Sequence, residues 1–204
     1  TNQERLFQQA KQQKKLFALD IASIYTVFEQ TIQYDVDYFE GRQLFINVFP
    51  STLTHPMFLK YIHQLTEGFH VDSGKIVIEI NESEPAIDIP TLKKVTTILK
   101  EQGFIIALDD LGKGEATLQL TVDIRPDIAK IDRYFAHQLS HSAQKQKMIK
   151  GLVNMLSDDT AIVLEGIETE EDMQTAISLG VQLGQGYYLG KPEPVRHYVN
   201  QQRI

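Results

Sequence analysis

Short apolar runs that alternate with segments of helical periodicity constrain the fold of this chain more than any other feature. Each run has the length of a buried strand, whereas in the segments between them apolar residues recur every three or four positions. The six apolar runs span 44–49, 75–80, 104–108, 127–131, 161–164 and 182–189. The predicted helices span 4–14, 20–34, 56–67, 90–102, 133–156 and 170–179. Such alternation predicts a parallel sheet, which is either open and doubly wound or closed as a barrel.

One polar residue lies in or at the end of each apolar run. These residues are Asn47, Glu79, Asp109, Lys130, Glu165 and Gln185. An open sheet usually gathers its ligands at one crevice, whereas a barrel collects them from the carboxyl ends of many strands. A complete eight-unit barrel takes about 250 residues. Because this chain has 204 residues and six visible strands, we predict an α/β fold, a modified TIM-type (β/α)8 barrel that is incomplete at its N-terminal end.

The composition excludes several classes of protein. Hydrophobic residues make up 42% of the chain, and 20 Lys and Arg against 27 Asp and Glu give a net charge of −7. Disorder, a membrane span and a surface for long nucleic acid are therefore not expected. The absence of cysteine excludes disulfides and zinc ribbons, and no signal peptide is recognisable, so we expect a cytoplasmic protein without membrane contact. No linker interrupts the pattern, which predicts one domain over residues 1–204.

Oxygen-bearing side chains cluster at the predicted strand ends. They are Asn47, Glu79, Asp109, Asp110 and Glu165, a ligand set that suits hard cations such as Mg²⁺ or Mn²⁺. Each residue also has a structural interpretation: Asn47 could end a strand before Pro50, and the aspartate pair could cap the turn into Gly112. In an extended strand, adjacent side chains point to opposite faces, so one aspartate could face the barrel mouth and the other its rim.

Lys130 lies inside an apolar run, where an ammonium group needs nearby carboxylates or a lowered pKa. It could position an attacking water, or it could form a structural ion pair with Asp132 or Asp109. Glu165 could accept a proton from water, whereas Glu168 could be an ordinary acid at a helix N-terminus.

Two further segments have less specific interpretations. Gln185 stands between two glycines, which would let a ligand approach the backbone closely. The lysines of the helix predicted over 133–156, which are Lys145, Lys147 and Lys150, are expected on a solvated face.

Six fragments, in this order, resemble the EAL domain, a bacterial phosphodiesterase that linearises cyclic di-GMP. The fragments are INVFPSTL, IVIEINE, ALDDLGKG, DIAKID, LEGIET and LGQGYYLGKP. The resemblance covers nearly the whole chain and implies a modified (β/α)8 barrel within a longer signalling protein. It also implies a cyclic-guanylate-specific phosphodiesterase that yields linear pGpG and uses two divalent ions, Mg²⁺ or Mn²⁺, to hold a water against the phosphodiester.

The resemblance assigns roles to nine residues of this chain. Asn47, Glu79 and Asp109 resemble ligands of the first metal, with Asp109 shared and Asp110 on the second. Lys130 and Glu165 resemble the residues that orient and activate water, and Gln185 matches a glutamine that contacts the site. Glu82 and Glu168 match glutamates that brace the loop after the aspartate pair.

Two departures from the family pattern leave an alternative open. The Glu-Ala-Leu motif would lie on a strand before the helix that contains Leu6, and this chain starts after it. The loop after the aspartate pair also differs, since Leu111 and Lys113 stand where the family usually has Phe and Thr. The alternative is a catalytically weak or inactive module that binds cyclic di-GMP or a protein partner as a sensor.

Two other expectations concern alternative chemistry and assembly. A third possible function is a glycosidase that uses Glu79 and Glu165 as its carboxylate pair. It ranks low, because it would leave Asp109, Asp110 and Lys130 unexplained. An incomplete barrel exposes strand edges, so self-association, for example as a homodimer, is expected.

Overall fold

The strands that pair in this structure run parallel to one another, as the alternating pattern predicts. The structure, a computed structural model, describes residues 2–13, 15–32, 42–81, 84, 88–112, 116–156 and 158–194. The six strands are β1 (Leu44–Val48), β2 (Ile76–Ile80), β3 (Ile105–Leu111), β4 (Ile128–Ile131), β5 (Ala161–Glu165) and β6 (Leu183–Gln185).

At least one helix separates each of the six strands from the next. They are α1 (Asn2–Gln12), α2 (Leu16–Ile32), α3 (Pro50–Leu53), α4 (Phe58–Phe69), α5 (Ile89–Glu101), α6 (Ala116–Ile124), α7 (Arg133–Ala136), α8 (Ala143–Leu156) and α9 (Glu170–Ser178). Short 3-10 helices lie at Ser73–Lys75 and Leu139–His141. Within the described residues, no helix is both long enough and apolar enough to cross a bilayer.

The described chain falls into two compact units, one ending at Ile105 and the other spanning Ile106–Pro194. In the first unit, β1 pairs with β2 and places Asn47 opposite Glu79. Strand β2 is buried along its whole length, and Phe28 and Phe58 are among the fully buried side chains of this unit.

The second unit carries the strands β3 to β6 in chain order. Its core includes Ile131, Phe135, Ile149 and Leu164. The parallel arrangement brings the carboxyl ends of these four strands to the same edge, which is where parallel α/β proteins bind ligands.

Local capping explains where the best-predicted helix begins and ends. The Thr169 hydroxyl accepts a hydrogen bond from the Asp172 N–H at 3.2 Å, and three acidic residues follow in the first turn of α9. Capping and acidic residues of this kind stabilise a helix N-terminus. The helix stops before Gly180, whose φ of 93° lies in the left-handed region, so the predicted helix over 170–179 is confirmed.

The predicted helix over 133–156 was wrong as a single element. Gln138 adopts a left-handed φ of 53° and separates α7 from the 3-10 helix at Leu139–His141, before α8 begins. Lys147 and Lys150 are exposed, as expected of a solvated face, but Lys145 is half-buried and its Nζ donates to the carbonyls of Tyr134 and His137. Helical periodicity continues across the break, which is why the pattern predicted one helix.

Two other segments differ from the sequence prediction by more than a shift of a few residues. No helix was predicted between 108 and 127, where α6 lies. The run 182–189 forms only the three-residue strand β6, because Gly186 packs directly on the Ile167 backbone and the Tyr188 N–H donates to the Ile167 carbonyl. Strand pairing therefore ends at Gln185.

Candidate active site

Four of the predicted site residues meet at the carboxyl ends of β3, β4 and β5 in the second unit. One carboxylate oxygen from each of Asp109, Asp110 and Glu165 lies within 4.8 Å of the other two. Lys130 of β4 belongs to the same cluster, because its ammonium contacts two of these carboxylates. We call these four residues the carboxylate cluster.

A register shift in β3 brings the adjacent aspartates into one cluster. Leu108 pairs with Ala129 and Leu111 with Ile131, so β3 has one more residue than β4 over this stretch. Asp110 also adopts a left-handed φ of 57°. An extra residue of this kind breaks the strict alternation of side chains along a strand, so neither aspartate is directed away from the site.

Lys130 bridges two carboxylates that lie near the carboxyl ends of the neighbouring strands β3 and β5. Its side chain is 7% exposed, and its Nζ lies 2.6 Å from Glu165 Oε1 and 3.4 Å from Asp109 Oδ1. The ion pair with Asp109 that the sequence suggested is confirmed. The carboxylate of Asp132, the other suggested partner, accepts the Tyr134 N–H at 2.8 Å and caps α7.

Burial and charge act in opposite directions on Glu165. Removal from water raises the pKa of this carboxyl above its ordinary value. The hydrogen bond and charge of Lys130 lower the pKa again, whereas the charges of Asp109 and Asp110 raise it further. Glu165 is therefore a better proton acceptor than an exposed glutamate.

The cluster has the donor set of a site for a divalent cation. It contains three carboxylates and one ammonium group, an excess of negative charge in a partly buried place. The buried Asp109 Oδ1 accepts no hydrogen bond from the part of the chain that the structure describes. Carboxylate oxygens are the ligands that Mg²⁺ and Mn²⁺ prefer, so the residues present fit such an ion.

The other predicted residues have less defined surroundings. Asn47 is exposed and Glu79 is 5% exposed, at facing positions near the ends of β1 and β2 in the first unit. Gln185 lies opposite Glu165 in the pairing of β5 with β6, and its carbonyl accepts the Ile167 N–H at 3.0 Å. Glu168 is exposed just before α9. Glu82 lies outside the described residues, so its role stays a prediction.

Of two glycines that lie beside the cluster, sequence reasoning treated Gly112 only as part of a turn and missed Gly166. They directly follow Leu111 and Glu165, and neither has room for a Cβ atom. The only signal in the sequence is that each glycine comes one or two residues after a candidate carboxylate.

The family model for the EAL domain matches residues 2–192. The chain belongs to the EAL domain family. This EAL domain is 25% identical over 179 residues to the cyclic di-GMP phosphodiesterase PdeF of Escherichia coli, covering 86% of this chain and 24% of PdeF. The chain thus spans about a quarter of that relative's length.

Solved structures agree with this membership. The EAL domain of Mycobacterium smegmatis DcpA has a TM-score of 0.79 and 26% identity, over 87% of this chain and 81% of that one. A manganese and cyclic di-GMP complex of Klebsiella pneumoniae BlrP1 has a TM-score of 0.77 and 27% identity, and the match covers 85% of this chain and 44% of the BlrP1 chain. The predicted fold class, α/β of the (β/α)8 barrel type and incomplete here, is confirmed.

Proposed function

We propose that this EAL domain is a metal-dependent phosphodiesterase that hydrolyses cyclic di-GMP to linear pGpG, with two divalent ions, Mg²⁺ or Mn²⁺. The observation that carries the proposal is the contact of Lys130 with both Glu165 and Asp109, at 2.6 and 3.4 Å. The names of PdeF and of the BlrP1 complex support the same nucleotide.

The aspartates of β3 are the residues of this unit that would hold the metal. Asp109 offers a buried oxygen that accepts no hydrogen bond among the described residues, and Asp110 lies beside it in the carboxylate cluster. A divalent ion would supply the positive charge that makes water more acidic and offsets the charge of a phosphodiester. The ligand roles of Asn47 and Glu79 stay predictions.

Glu165 and Lys130 would divide the proton chemistry between them. Glu165, with its raised pKa, takes a proton from the water whose oxygen bonds to phosphorus; the P–O bond to one ester oxygen breaks, and that oxygen leaves as a hydroxyl after gaining a proton from solvent. The Lys130 ammonium holds the Glu165 carboxylate in place through their 2.6 Å contact and keeps it ionised until the proton arrives. Glu165 thus acts on the attacking water, and Lys130 acts on Glu165.

The test is to incubate the protein with cyclic di-GMP and Mg²⁺ or Mn²⁺ and to follow linear product by chromatography. Glu165→Gln keeps the shape of the side chain but removes the base, so we expect turnover to fall by about 10² to 10⁴-fold. Lys130→Met removes the cation that holds Glu165 and should lose activity to a similar extent. Glu171→Gln, an exposed glutamate of α9, is the matched control and should keep full turnover.

The opposite result is also defined. If the wild-type protein binds cyclic di-GMP tightly but releases no linear product with either metal, it is a binding module rather than a phosphodiesterase. Equal turnover by Glu165→Gln and Glu171→Gln would exclude Glu165 as the base.

A further inference from the structure

The turn that connects β4 to α7 contacts both strands whose ends carry the carboxylates. We call residues 132–136 the α7 corner. The Asp132 N–H donates to the carbonyl of Leu111, the last residue of β3, at 3.3 Å. The Asp132 carboxylate accepts the Tyr134 N–H at 2.8 Å, so the same residue also begins α7. The corner is thereby bonded to the end of the strand that carries Asp109 and Asp110.

Direct packing adds to this bond on the β3 side. Gly112 follows β3 with a φ of 100°, and a Cβ atom there would lie 2.6 Å from Cε2 of Phe135. Phe135 is only 9% exposed and belongs to the core of this unit. Core packing therefore restrains the Phe135 ring, and the turn after the aspartate pair packs against this ring.

The contact on the β5 side is closer still. Gly166 follows Glu165 with a φ of 74°, and a Cβ atom there would lie 2.4 Å from Cβ and 3.1 Å from Cα of Arg133. Backbone atoms cannot rotate out of the way as the end of a side chain can. The position of the chain immediately after Glu165 is thus set by the α7 corner.

Lys145 of α8 holds the other end of α7. Its Nζ donates to the carbonyl oxygens of Tyr134 and His137, at 2.5 and 2.6 Å, and lies 4.4 Å from the centre of the Tyr134 ring. The last carbonyls of a helix have no partner within the helix, and a cation there is favourable. Lys145 therefore holds the α7 corner in place, in addition to the contacts with the ends of β3 and β5.

We propose that the α7 corner sets the distance between the β3 aspartates and Glu165, and that Gly166 is a positioning residue of the active site. The effect of this positioning on catalysis rests on the proposed function. Three carboxylates that each place an oxygen within 4.8 Å of the other two repel one another, and Lys130 contacts two of them, Asp109 and Glu165. The backbone contacts of the α7 corner add a restraint on the spacing of the strand ends that carry these carboxylates.

The test compares two Gly→Ala substitutions in the same unit. Gly166→Ala forces the turn after Glu165 away from Arg133, and a displacement of about 1 Å costs roughly 100-fold in kcat. We expect KM for cyclic di-GMP to change less than kcat, since the substitution displaces the base rather than the substrate. Gly151→Ala is the matched control, because among the described residues no atom beyond its chain neighbours and the backbone of α8 lies within 4 Å of a Cβ at that position, and it should keep kcat within twofold.

A second-site variant separates positioning from loss of folding. Arg133→Gly removes the Cβ atom that an alanine at position 166 would strike, so the Gly166→Ala, Arg133→Gly double variant should recover at least about tenfold in kcat. Lys145→Met loosens α7 without entering the cluster, and we expect about a tenfold fall in kcat that Lys145→Arg restores. Lys147→Met, on the same helix and exposed, is its control.

Two readouts do not depend on turnover. Manganese binding measured by calorimetry should weaken about tenfold in Gly166→Ala and stay unchanged in Gly151→Ala. A crystal structure of Gly166→Ala should show Lys130 Nζ separated from Glu165 Oε1. If that contact persists below 3 Å, or if folded Gly166→Ala matches the wild type in both kcat and manganese affinity, the positioning role is excluded. A wild type that fails to hydrolyse cyclic di-GMP would contradict only the proposed function, since the crystal structure still decides the positioning.

Discussion

Asp20 illustrates how burial changes a single carboxyl group. It lies within α2, is 2% exposed, and accepts the Phe49 N–H at 3.0 Å. Burial raises its pKa to about 6, and the Glu84 charge acts in the same direction, while the Phe49 hydrogen bond opposes both. The folded protein therefore binds a proton here at a pH where the unfolded chain, with a pKa near 3.8, does not.

This difference predicts a pH-dependent loss of stability. Because the folded-state pKa is the higher one, the free energy of unfolding should fall as pH rises from about 4 to about 6, by about 3 kcal/mol from this group. Asp20→Asn keeps an oxygen for the Phe49 N–H but carries no charge. We expect it to raise the melting temperature at pH 8 and to leave it nearly unchanged at pH 3.5, as measured by calorimetry.

The control for Asp20→Asn is Asp158→Asn, because Asp158 is exposed. It should follow the wild-type pH dependence throughout. An Asp20→Asn protein that is less stable than the wild type at pH 8 would show that the carboxylate is stabilising, contrary to this account.

At the scale of elements, a buried carboxylate links α9 to the 3-10 helix at Leu139–His141. Asp172 accepts hydrogen bonds from the N–H and hydroxyl of Ser140, at 2.7 and 2.8 Å. Burial pushes the pKa of Asp172 upward, but these hydrogen bonds, that of Thr169 and the His141 charge outweigh it and lower the pKa overall. The contact joins two elements far apart in the sequence.

Asp172→Ala should therefore destabilise the protein. It leaves the Ser140 N–H without its acceptor, at a cost of about 1 to 3 kcal/mol. Since the folded-state pKa is the lower one, the stabilisation is present at neutral pH and disappears as pH falls below about 4. Urea denaturation at pH 7 and pH 3 measures both effects.

Glu171→Ala is the neighbouring control, since that side chain is exposed. It should lose no more than about 0.5 kcal/mol. Equal losses in Asp172→Ala and Glu171→Ala would mean that the bond to Ser140 contributes nothing.

Helix boundaries also show which features of the structure the local sequence pattern predicts and which it does not. The helix over 170–179 was predictable because its capping threonine and terminal glycine are adjacent in sequence to the helix they bound. The break after α7 was not, because Lys145 satisfies the carbonyls of α7 from the next helix. A contact across elements decided that boundary.

For the whole molecule, exposed apolar side chains on α6 bear on the predicted self-association. Leu118 and Val122 are 50% and 72% exposed and, four residues apart, share one helix face. Apolar side chains that cluster on a surface commonly mark an interface. The homodimer stays a prediction; the sequence predicts its contact at exposed strand edges, and these side chains make α6 a second expected contact surface.

Val122→Glu should weaken that association by placing a charge in an apolar contact. Sedimentation velocity at micromolar concentration is expected to show a dimer for the wild type and a monomer for the variant. Ile177→Glu, at an exposed apolar position on α9, should leave the dimer intact. A wild-type protein that sediments as a monomer would contradict the prediction.

The sequence by itself determined the α/β class, the alternation of strands and helices along the chain, and the identity of the cluster residues. Apolar periodicity and polar strand ends are local, and parallel pairing follows from strand and helix alternation. Only the tertiary structure decided that both aspartates join one cluster and that Lys130 contacts Glu165 as well as Asp109. A register shift between β3 and β4 and the packing of Gly166 on Arg133 depend on distances between residues far apart in sequence, which no local pattern encodes.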